Sequence, residues 1–272
     1  MELKGKTAIV TGGGRGIGEG IARVLAREGA NVVVMGRHAH EVEAVGSVIR
    51  GCGGQALPVV ADVTDWSSLE AMTKAAVAHF GGVDILVNNA GTEGPPRLLV
   101  DLPVEQWDQV IGVNLKGVFL CCKAVLPAMG ARRCGRIVNI GSVAGRRMTF
   151  FGSVDYTVSK YGVEGLTQHL AWELADQRIT VNSICPGGVV TPLMEESISA
   201  AYREMVTKRL VPVGRMCTME EIGEMVSFLA SDRTQMITGQ SIAVDGGVLT
   251  GFGEDLRPVI RKRMADAAAG GH

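Results

Sequence analysis

The sequence predicts a single-domain α/β protein in which seven parallel strands form a doubly wound sheet with helices on both faces. Short apolar runs rich in β-branched residues alternate along the chain with longer amphipathic segments, and this alternation is typical of parallel sheets with right-handed crossovers. Runs such as Val32–Val34 and Ile137–Val138 are continuously apolar, which indicates strands covered on both faces. Composition changes sharply nowhere in the 272 residues, so no linker is indicated.

Strands are placed at the apolar runs, and helices are placed at the segments with helical periodicity between them. The predicted strands are Thr7–Thr11, Asn31–Met35, Gln55–Val60, Ile85–Asn88, Arg136–Ile140, Thr180–Ile184 and Ser241–Val244. The predicted helices are Gly18–Glu28, His40–Gly51, Trp66–Phe80, Val104–Arg132, Tyr156–Ala175 and Met219–Ser231. Asp65 and Thr218 directly precede the third and the last of these helices, so we predict that their side chains form N-caps.

The domain is predicted to cover residues 1–251, and two segments depart from the alternation. A polar helical stretch occupies residues 192–212, where the next strand would otherwise be due. An insertion of this length in a compact domain is typical of a lid or substrate-binding loop. Residues 252–272 form a C-terminal tail, which we expect to be frayed at its end and to which no function is assigned.

Charge and hydropathy exclude several classes of function. The 27 basic and 28 acidic side chains nearly cancel, which argues against binding to nucleic acid or to a membrane surface. Lys116, Lys123 and Pro127 interrupt the most apolar stretch, around Val113–Met129, and the N-terminus lacks the apolar segment of a secretory signal. The six cysteines show no C-x-x-C spacing and the five histidines no H-E-x-x-H, so no metal site is predicted. We therefore expect a soluble, cytoplasmic protein.

Glycine is the unusual component, because 37 of the 272 residues are glycine, roughly twice the average share. Five of them lie in Thr11–Gly18, which follows the first predicted strand and opens the first helix. Glycines there let the backbone approach a pyrophosphate, and the helix N-terminus faces the anion. The alternatives are a flavin site or a plain tight turn. The nucleotide contacts predicted from this segment are Gly12, Gly14, Arg15, Gly16, Ile17 and Gly18.

The residues after the second strand bear on which nucleotide is bound. An acidic side chain there would accept hydrogen bonds from the ribose hydroxyls, but the sequence has Gly36 and Arg37. A guanidinium pairs with a 2′-phosphate, and Arg15 in the glycine turn can approach from the other side. We therefore expect NADP(H) to be favoured over NAD(H), the alternative being that both arginines are solvated surface charges.

A tyrosine and a lysine at the start of one helix indicate acid and base chemistry. Tyr156 and Lys160 are four residues apart, so they share a helix face. A phenol pKa of about 10 must fall by roughly three units for catalysis near pH 7, and one ammonium about 4 Å away supplies roughly that free energy. Ser142 follows the fifth strand, at the sheet edge that also holds the glycine turn. Taken alone, the Y-x-x-x-K pair could be an ordinary helix face.

Together these residues resemble the short-chain dehydrogenase/reductase family, and the resemblance covers nearly the whole chain. It implies a Rossmann-type fold and a nicotinamide cofactor. The matching motifs are T-G-x-x-x-G-x-G at Thr11–Gly18, D-V at Asp62–Val63, N-N-A-G at Asn88–Gly91, the single residues Asn114 and Ser142, Tyr156 with Lys160, P-G-x-x-x-T-P at Pro186–Pro192, and D-G-G at Asp245–Gly247.

The resemblance also implies a role for each matching residue. Asp62 would hold the adenine, Thr191 the nicotinamide carboxamide, and Lys160 the nicotinamide ribose, while Asn114 would hold a water that links Lys160 to solvent. Asn88 and Asn114 could instead be plain buried amides, and Ser142 a plain turn serine. The other cofactor residues implied in this way are Val63, Asn88, Ala90, Gly91, Tyr156, Pro186, Gly187 and Val189.

The substrate pocket is expected near the segment between the serine and the tyrosine. Ser142 and Tyr156 are fourteen positions apart, one more than is common in the family, so the extra residue should reshape the pocket. The adjacent Arg146 and Arg147 would suit a carboxylate, a sulfonate or a coenzyme A ester, although such pairs are also commonly solvated. The predicted substrate contacts are Glu93, Arg146, Arg147, Phe150 and Met194.

The expected reaction is reversible hydride transfer between NADP(H) and a ketone or secondary alcohol, with Tyr156 as the general acid and base. A first alternative is an NAD-dependent dehydrogenase of an acidic or coenzyme A-linked hydroxy compound. A serine hydrolase is disfavoured because Ser142 lies in G-S-x-x-G and not in G-x-S-x-G, and a non-catalytic nucleotide-binding protein is the remaining alternative. The family resemblance implies a homotetramer packed through the helices around Val104–Arg132 and Tyr156–Ala175 and through the C-terminal strand.

Overall fold

A computed structural model describes residues 1–130, 134–148, 152–192, 194, 199–251 and 257–269 of the chain. The strands, in chain order, are β1 (Thr7–Thr11), β2 (Asn31–Gly36), β3 (Gln55–Val60), β4 (Ile85–Asn88), β5 (Gly135–Ile140), β6 (Ile179–Pro186), β7 (Val189–Val190), β8 (Cys217–Thr218) and β9 (Ser241–Val244). One parallel sheet has the order β3-β2-β1-β4-β5-β6-β9, and β7 pairs with β8 apart from it. All seven predicted strands are present, and the doubly wound parallel sheet is confirmed.

Helices cover both faces of this sheet. They are α1 (Gly16–Arg27), α2 (Ala39–Gly51), α3 (Trp66–Phe80), α4 (Val104–Ile111), α5 (Gly117–Gly130), α6 (Val154–Glu173), α7 (Ala200–Leu210), α8 (Met219–Ala230) and α9 (Arg257–Ala269). On one face, α1, α2 and α8 contribute Ile21, Val42 and Val226 to the apolar core. On the other face, Leu69 of α3 and Val125 of α5 belong to a second buried cluster. Helices on both faces leave every residue of β1 and β6 buried, whereas the edge strands β3 and β9 are partly exposed.

Both predicted N-caps are confirmed by hydrogen bonds. The Asp65 carboxylate accepts from the Ser67 amide at 3.0 Å at the start of α3. At the start of α8, the Thr218 hydroxyl accepts from the Glu221 amide at 3.2 Å, while the Glu221 carboxylate accepts from the Thr218 amide at 2.9 Å. This reciprocal capping box fixes where the chain leaves the small β7–β8 sheet.

The long helix predicted over Val104–Arg132 is interrupted. A π-helical turn, Gly112–Lys116, separates α4 from α5, and residues 131–133 lie outside the described part. By length and composition the whole helical run Val104–Gly130 could span a membrane, although Lys116, Lys123 and Pro127 interrupt its apolar sequence. In this structure its Val125 and Met129 are buried in the core beside the sheet.

The C-terminal tail, predicted to be frayed, contains the helix α9 over Arg257–Ala269. The tail is rich in alanine and basic residues, a composition that is compatible with a flexible segment. The same residues are also strong helix formers, which accounts for α9. In the segment 192–212, the polar helical stretch corresponds to α7. The domain limits and the closing role of this segment stay predictions.

Candidate active site

A cavity of about 470 Å³ lies at the sheet edge where β1, β2 and β4 end, the size range of small-molecule sites. Of the predicted cofactor residues, those lining it are Gly12, Gly14, Arg15, Gly16, Ile17, Arg37, Asp62, Val63, Ala90, Gly91 and Thr191. Asn89 of the predicted N-N-A-G motif also lines it. The lining residues without a predicted cofactor contact are Met35, Gly36, His38, Glu41, Ala61, Thr92, Gln109, Val113 and Pro192.

The glycine turn between β1 and α1 leaves room for an anion to contact the backbone. Gly12 and Gly16 have φ values of 62° and 56°, a region that side chains disfavour. A Cβ on Gly16 would lie 3.9 Å from the Thr191 methyl carbon, and both residues line the cavity. Arg15 precedes α1 without a side-chain cap to the helix among the described residues. The N–H groups at the start of α1 and the glycines beside them fit the pyrophosphate of a dinucleotide.

Asn89 holds the glycine turn against the end of β4. Its side-chain amide donates to the Thr11 and Gly12 carbonyl oxygens at 3.0 and 3.2 Å, and its backbone N–H donates to the Thr11 hydroxyl at 3.0 Å. The neighbouring Asn88, predicted to line the nucleotide, is fully buried and donates to the Asn139 side chain on β5 at 2.9 Å. The Asn88 side-chain amide also lies 3.4 Å from the Cys122 sulfur of α5, so this side chain contacts the helix layer. Contact of Asn88 with the cofactor stays a prediction.

Two exposed arginines and one acid line the cavity near the glycine turn and the end of β2. Arg37 lies directly after β2, and Arg15 forms an ion pair of 3.9 Å with Glu41 of α2. The Glu41 carboxylate carries no sequence signal for this site, because only the fold brings α2 to the glycine turn. Asp62 accepts from the Thr64 amide and hydroxyl, both at 2.8 Å, so its carboxylate also shapes the turn after β3.

The four predicted catalytic residues converge next to this cavity. Asn114 lies in the π-helical turn, exchanges two hydrogen bonds of 2.8 Å with the Thr92 backbone, and donates to Ser159 at 3.1 Å. The Lys160 ammonium is buried and donates to the Ile140 carbonyl oxygen at 2.8 Å. A Cβ on the cavity residue Gly91 would lie 3.4 Å from Asn114 Oδ1 and 4.0 Å from Lys160 Nζ. These contacts place the lysine and the asparagine directly beside Gly91 and Thr92, which line the cavity.

The serine and the tyrosine complete the group. Lys160 Nζ lies 5.6 Å from the centroid of the Tyr156 ring, and Ser142 lies close enough to the Tyr156 phenol to lower its pKa in part. Ser142 also accepts from the Ala144 amide at 3.1 Å, which begins the short turn Val143–Gly145. An acid, a hydrogen-bond donor and a cation are therefore neighbours, which is a combination that general acid and base chemistry uses.

The electrostatics of the tyrosine differ from the sequence expectation. Burial raises the pKa of Tyr156 to about 12, although the neighbouring Ser142 lowers it in part. Burial also lowers the pKa of Lys160 to about 8, against the raising effects of Cys185, Glu164 and Glu93. The expected drop of the phenol pKa is thus wrong for the protein alone, because desolvation of the phenolate outweighs its favourable contacts.

Several predicted residues lie outside the cavity wall. Gly18 is buried inside the glycine turn, and Val189 belongs to the apolar core. Pro186 is buried at the end of β6, and Gly187 packs against Asp245, which itself accepts from the Gly247 and Leu249 amides. These residues lie behind the residues that line the cavity, so direct contact with a cofactor stays a prediction for them.

The predicted substrate residues are only partly placed at the site. Arg146 donates to the Ser241 carbonyl oxygen at 2.7 Å and Arg147 to the Gly251 carbonyl oxygen at 3.2 Å, so both guanidinium groups contact the C-terminal part of the chain. The Met194 amide donates to the Thr191 hydroxyl at 3.2 Å. The Glu93 carboxylate interacts with Tyr156 and Lys160, and desolvation raises its pKa. Phe150 lies outside the described residues.

Comparison with known proteins agrees with this arrangement. A family described as enoyl-(acyl carrier protein) reductase matches residues 12–249. The chain is 42% identical over 255 residues to the oxidoreductase UcpA of Salmonella typhimurium, covering 90% of this chain and 95% of that protein. It is 41% identical over 244 residues to the 3-oxoacyl-[acyl-carrier-protein] reductase FabG of Staphylococcus aureus, covering 89% and 98%.

A further relative and a solved structure extend the comparison. The D-beta-hydroxybutyrate dehydrogenase of Rhizobium meliloti is 39% identical over 254 residues, with 89% of this chain and 98% of that protein covered. The crystal structure of a short-chain type dehydrogenase/reductase from Mycobacterium marinum superposes with a TM-score of 0.86 at 34% identity, covering 92% and 98% of the two chains. The chain therefore belongs to the short-chain dehydrogenase/reductase family of oxidoreductases.

Proposed function

We propose that the protein catalyses reversible hydride transfer between NADP(H) and a carbonyl compound or secondary alcohol, with Tyr156 as the general acid and base. The observation that supports this most is the position of four side chains beside a cavity that the glycine turn lines. They are Asn114, Ser142, Tyr156 and Lys160, and helix α1 after the turn has no side-chain cap within the described part of the chain. A bound nicotinamide supplies the hydride acceptor or donor. The chain itself has to orient the substrate and to move one proton.

Three of the four catalytic side chains have distinct tasks in the direction of reduction. Ser142 donates a hydrogen bond to the substrate carbonyl oxygen, which becomes more basic as negative charge develops on it. Tyr156, a phenol with a pKa of about 12, stays protonated at neutral pH and delivers its proton to that oxygen. The nearby Lys160 ammonium stabilises the phenolate that remains. Oxidation of an alcohol follows the same path in reverse.

A β-hydroxy or β-oxo acid derivative is a second candidate substrate class. Two relatives are named for such compounds, a 3-oxoacyl-[acyl-carrier-protein] reductase and a D-beta-hydroxybutyrate dehydrogenase. Arg146 and Arg147 offer weak support for binding the acid group, because each guanidinium already donates to a backbone carbonyl oxygen. A panel of ketones, aldehydes, 3-oxoacyl esters and secondary alcohols, assayed with both cofactors by nicotinamide absorbance, tests the proposal. No turnover of any member would contradict it.

We expect kcat/KM to be higher with NADPH than with NADH, and Arg37→Ala to remove most of the preference. A hydrogen bond to a charged group is worth about 1.5–3 kcal/mol, or roughly tenfold to more than a hundredfold in affinity. Arg15→Ala should have a smaller effect, since Glu41 already pairs with that guanidinium. Arg23→Ala is the matched control, because this exposed arginine pairs with Glu19 on α1 and does not line the cavity. Equal efficiency with both cofactors in the unmodified protein would refute the preference.

We also propose a homotetramer, and we expect Trp172→Glu to dissociate it into smaller species. Trp172 is 81% exposed on α6, and Tyr161 on the same helix and Phe119 on α5 are also exposed. An apolar face of this kind usually marks a contact between proteins. Light scattering measures the mass, with Val48→Glu on the outer face of α2 as the control that should leave it unchanged. A monomeric unmodified protein would contradict this proposal.

A further inference from the structure

Glu164 is a buried acid that the reaction described above does not use. It lies on α6 one helical turn after Lys160 and is 7% exposed. Its Oε1 atom accepts from the Ser183 hydroxyl at 2.7 Å and from the Cys185 thiol at 3.4 Å, while its buried Oε2 atom has no hydrogen-bond partner among the described residues. A buried carboxylate with an unsatisfied oxygen is costly, so its position calls for a compensating interaction.

Two glycines make room for this carboxyl group directly beneath the catalytic serine. A Cβ on Gly141 would lie 2.4 Å from Glu164 Oε1 and 2.7 Å from the Ser183 hydroxyl oxygen. A Cβ on Gly145 would lie 3.3 Å from Glu164 Cγ and 2.9 Å from the Lys160 carbonyl oxygen. Neither glycine has a positive φ, so the space and not the backbone conformation requires them. The turn that presents Ser142 is therefore packed onto Glu164 on both sides of the serine.

The surroundings of Lys160 are mostly acidic or neutral. The groups that act on it are Glu164 on its own helix, Cys185 on β6 and Glu93 in the segment after β4, with the Tyr156 ring at 5.6 Å. Around Glu164 itself lie Ser183 and Cys185, and behind them the Ser241 hydroxyl is 3.2 Å from the Cys185 sulfur. The nearby Arg146 guanidinium donates to the Ser241 carbonyl oxygen.

We propose that Glu164 is a positioning residue of the reaction, whose buried carboxylate keeps Lys160 in its ammonium form and supports the turn that carries Ser142. This inference rests on the proposed function, because it assigns a task to the lysine. A negative charge on the same helix face stabilises the ammonium, and the effect is large because water is excluded from both groups. Burial destabilises the charged form of the lysine, and the carboxylate offsets part of this destabilisation.

The sign of the pH effect follows from these charges. Burial lowers the pKa of Lys160 to about 8, and Glu164 raises it, so removing the acid should lower the lysine pKa further. Carbonyl reduction needs the ammonium, so its rate should fall as the pH rises through the pKa of Lys160. In the Glu164→Gln variant, this alkaline decline should move to lower pH by about one unit.

The test compares Glu164→Gln with Glu173→Gln, an exposed acid near the end of the same helix that pairs with His169. The glutamine retains an oxygen that can accept from Ser183, so the change removes mainly the charge. The pH profile of kcat/KM is measured for both, together with the titration of Lys160 by NMR of ¹³C-labelled lysine, assigned with Lys160→Arg. We expect both readouts to shift in Glu164→Gln and neither to shift in Glu173→Gln.

Unchanged profiles and an unchanged lysine titration in Glu164→Gln would overturn the inference. Should that variant fail to fold, Glu164→Asp retains the charge at a greater distance, and we expect it to give an intermediate shift; no shift would again overturn the inference. The NMR titration does not depend on turnover. A shifted lysine in a protein that reduces no carbonyl compound would contradict the proposed function and leave the electrostatic link intact.

Discussion

Replacing Tyr156 with phenylalanine is expected to lower kcat by about a thousandfold or more, while the Kd of the cofactor changes little. The substitution removes one hydroxyl and keeps the ring that lies 5.6 Å from the Lys160 ammonium. A positioned general acid or base contributes roughly a hundredfold to ten-thousandfold to a rate, and the removed hydroxyl is the only group of that ring able to transfer a proton. Steady-state kinetics with the best substrate of the panel gives kcat, and calorimetric titration gives the cofactor Kd.

The control for this change is Tyr161→Phe, five residues later on the same helix, where the side chain is exposed. It loses the same atom from the same helix, so the comparison isolates the effect of the position of the hydroxyl on turnover. We expect normal turnover from this control. Substantial activity in Tyr156→Phe would refute the catalytic assignment, and a large rise in its cofactor Kd would show that the hydroxyl serves binding and not proton transfer.

The high pKa of Tyr156 affects the two directions of the reaction differently. A phenol with a pKa of about 12 is a ready proton donor at neutral pH, which suits carbonyl reduction. Alcohol oxidation instead needs the phenolate, and the protein alone disfavours it because burial removes the solvation of that anion. Oxidised nicotinamide carries a positive charge, and such a charge near the ring would lower the free-energy cost of forming the phenolate. The tyrosine environment is thus complete only with its cofactor.

Local sequence signals predicted the fold well because their physical causes are local. The doubly buried strands appear as continuous apolar runs such as Val32–Val34, and Asp65 and Thr218 cap their helices through bonds to residues two or three positions away. The π-helical turn at Gly112–Lys116 has no such signal, since the helical periodicity on either side continues through it. It nevertheless positions Asn114 against the Thr92 backbone.

The part of the site that the sequence could not predict depends on contacts between distant segments. Asn88 and Asn89 are adjacent and identical in type, and only the end of β4 decides which amide is buried and which one holds the glycine turn. Glu41 and Glu164 carry no motif, and each reaches the site because a helix packs against a turn. Arg146 is a predicted substrate contact, and in the fold its guanidinium donates to the carbonyl oxygen of Ser241 on β9. The sequence around Arg146 carries no signal for this contact with a distant strand.

Replacing Gly18 with alanine should weaken cofactor binding by about tenfold or more and lower the melting temperature by several degrees. A Cβ there would lie 2.0 Å from the Gly12 carbonyl oxygen and 2.5 Å from the Asn89 amide nitrogen. The carbonyl is backbone and cannot rotate away, so the turn itself has to move. Overpacking of this kind typically costs about 1–3 kcal/mol, and the displaced Gly12 and Asn89 both line the cavity.

Gly51→Ala provides the matched control, because no described atom lies within 4 Å of a Cβ at that position, the last of α2. Alanine is favoured over glycine in helices by about 1 kcal/mol, so this variant should be as stable as the unmodified protein or more so. Calorimetric Kd values and thermal melts separate the two effects. Normal cofactor binding by Gly18→Ala would contradict this prediction, because the close contact of α1 with the turn would then not be needed for the phosphate site. Only Gly12 and Gly16 would remain as glycines that this site requires.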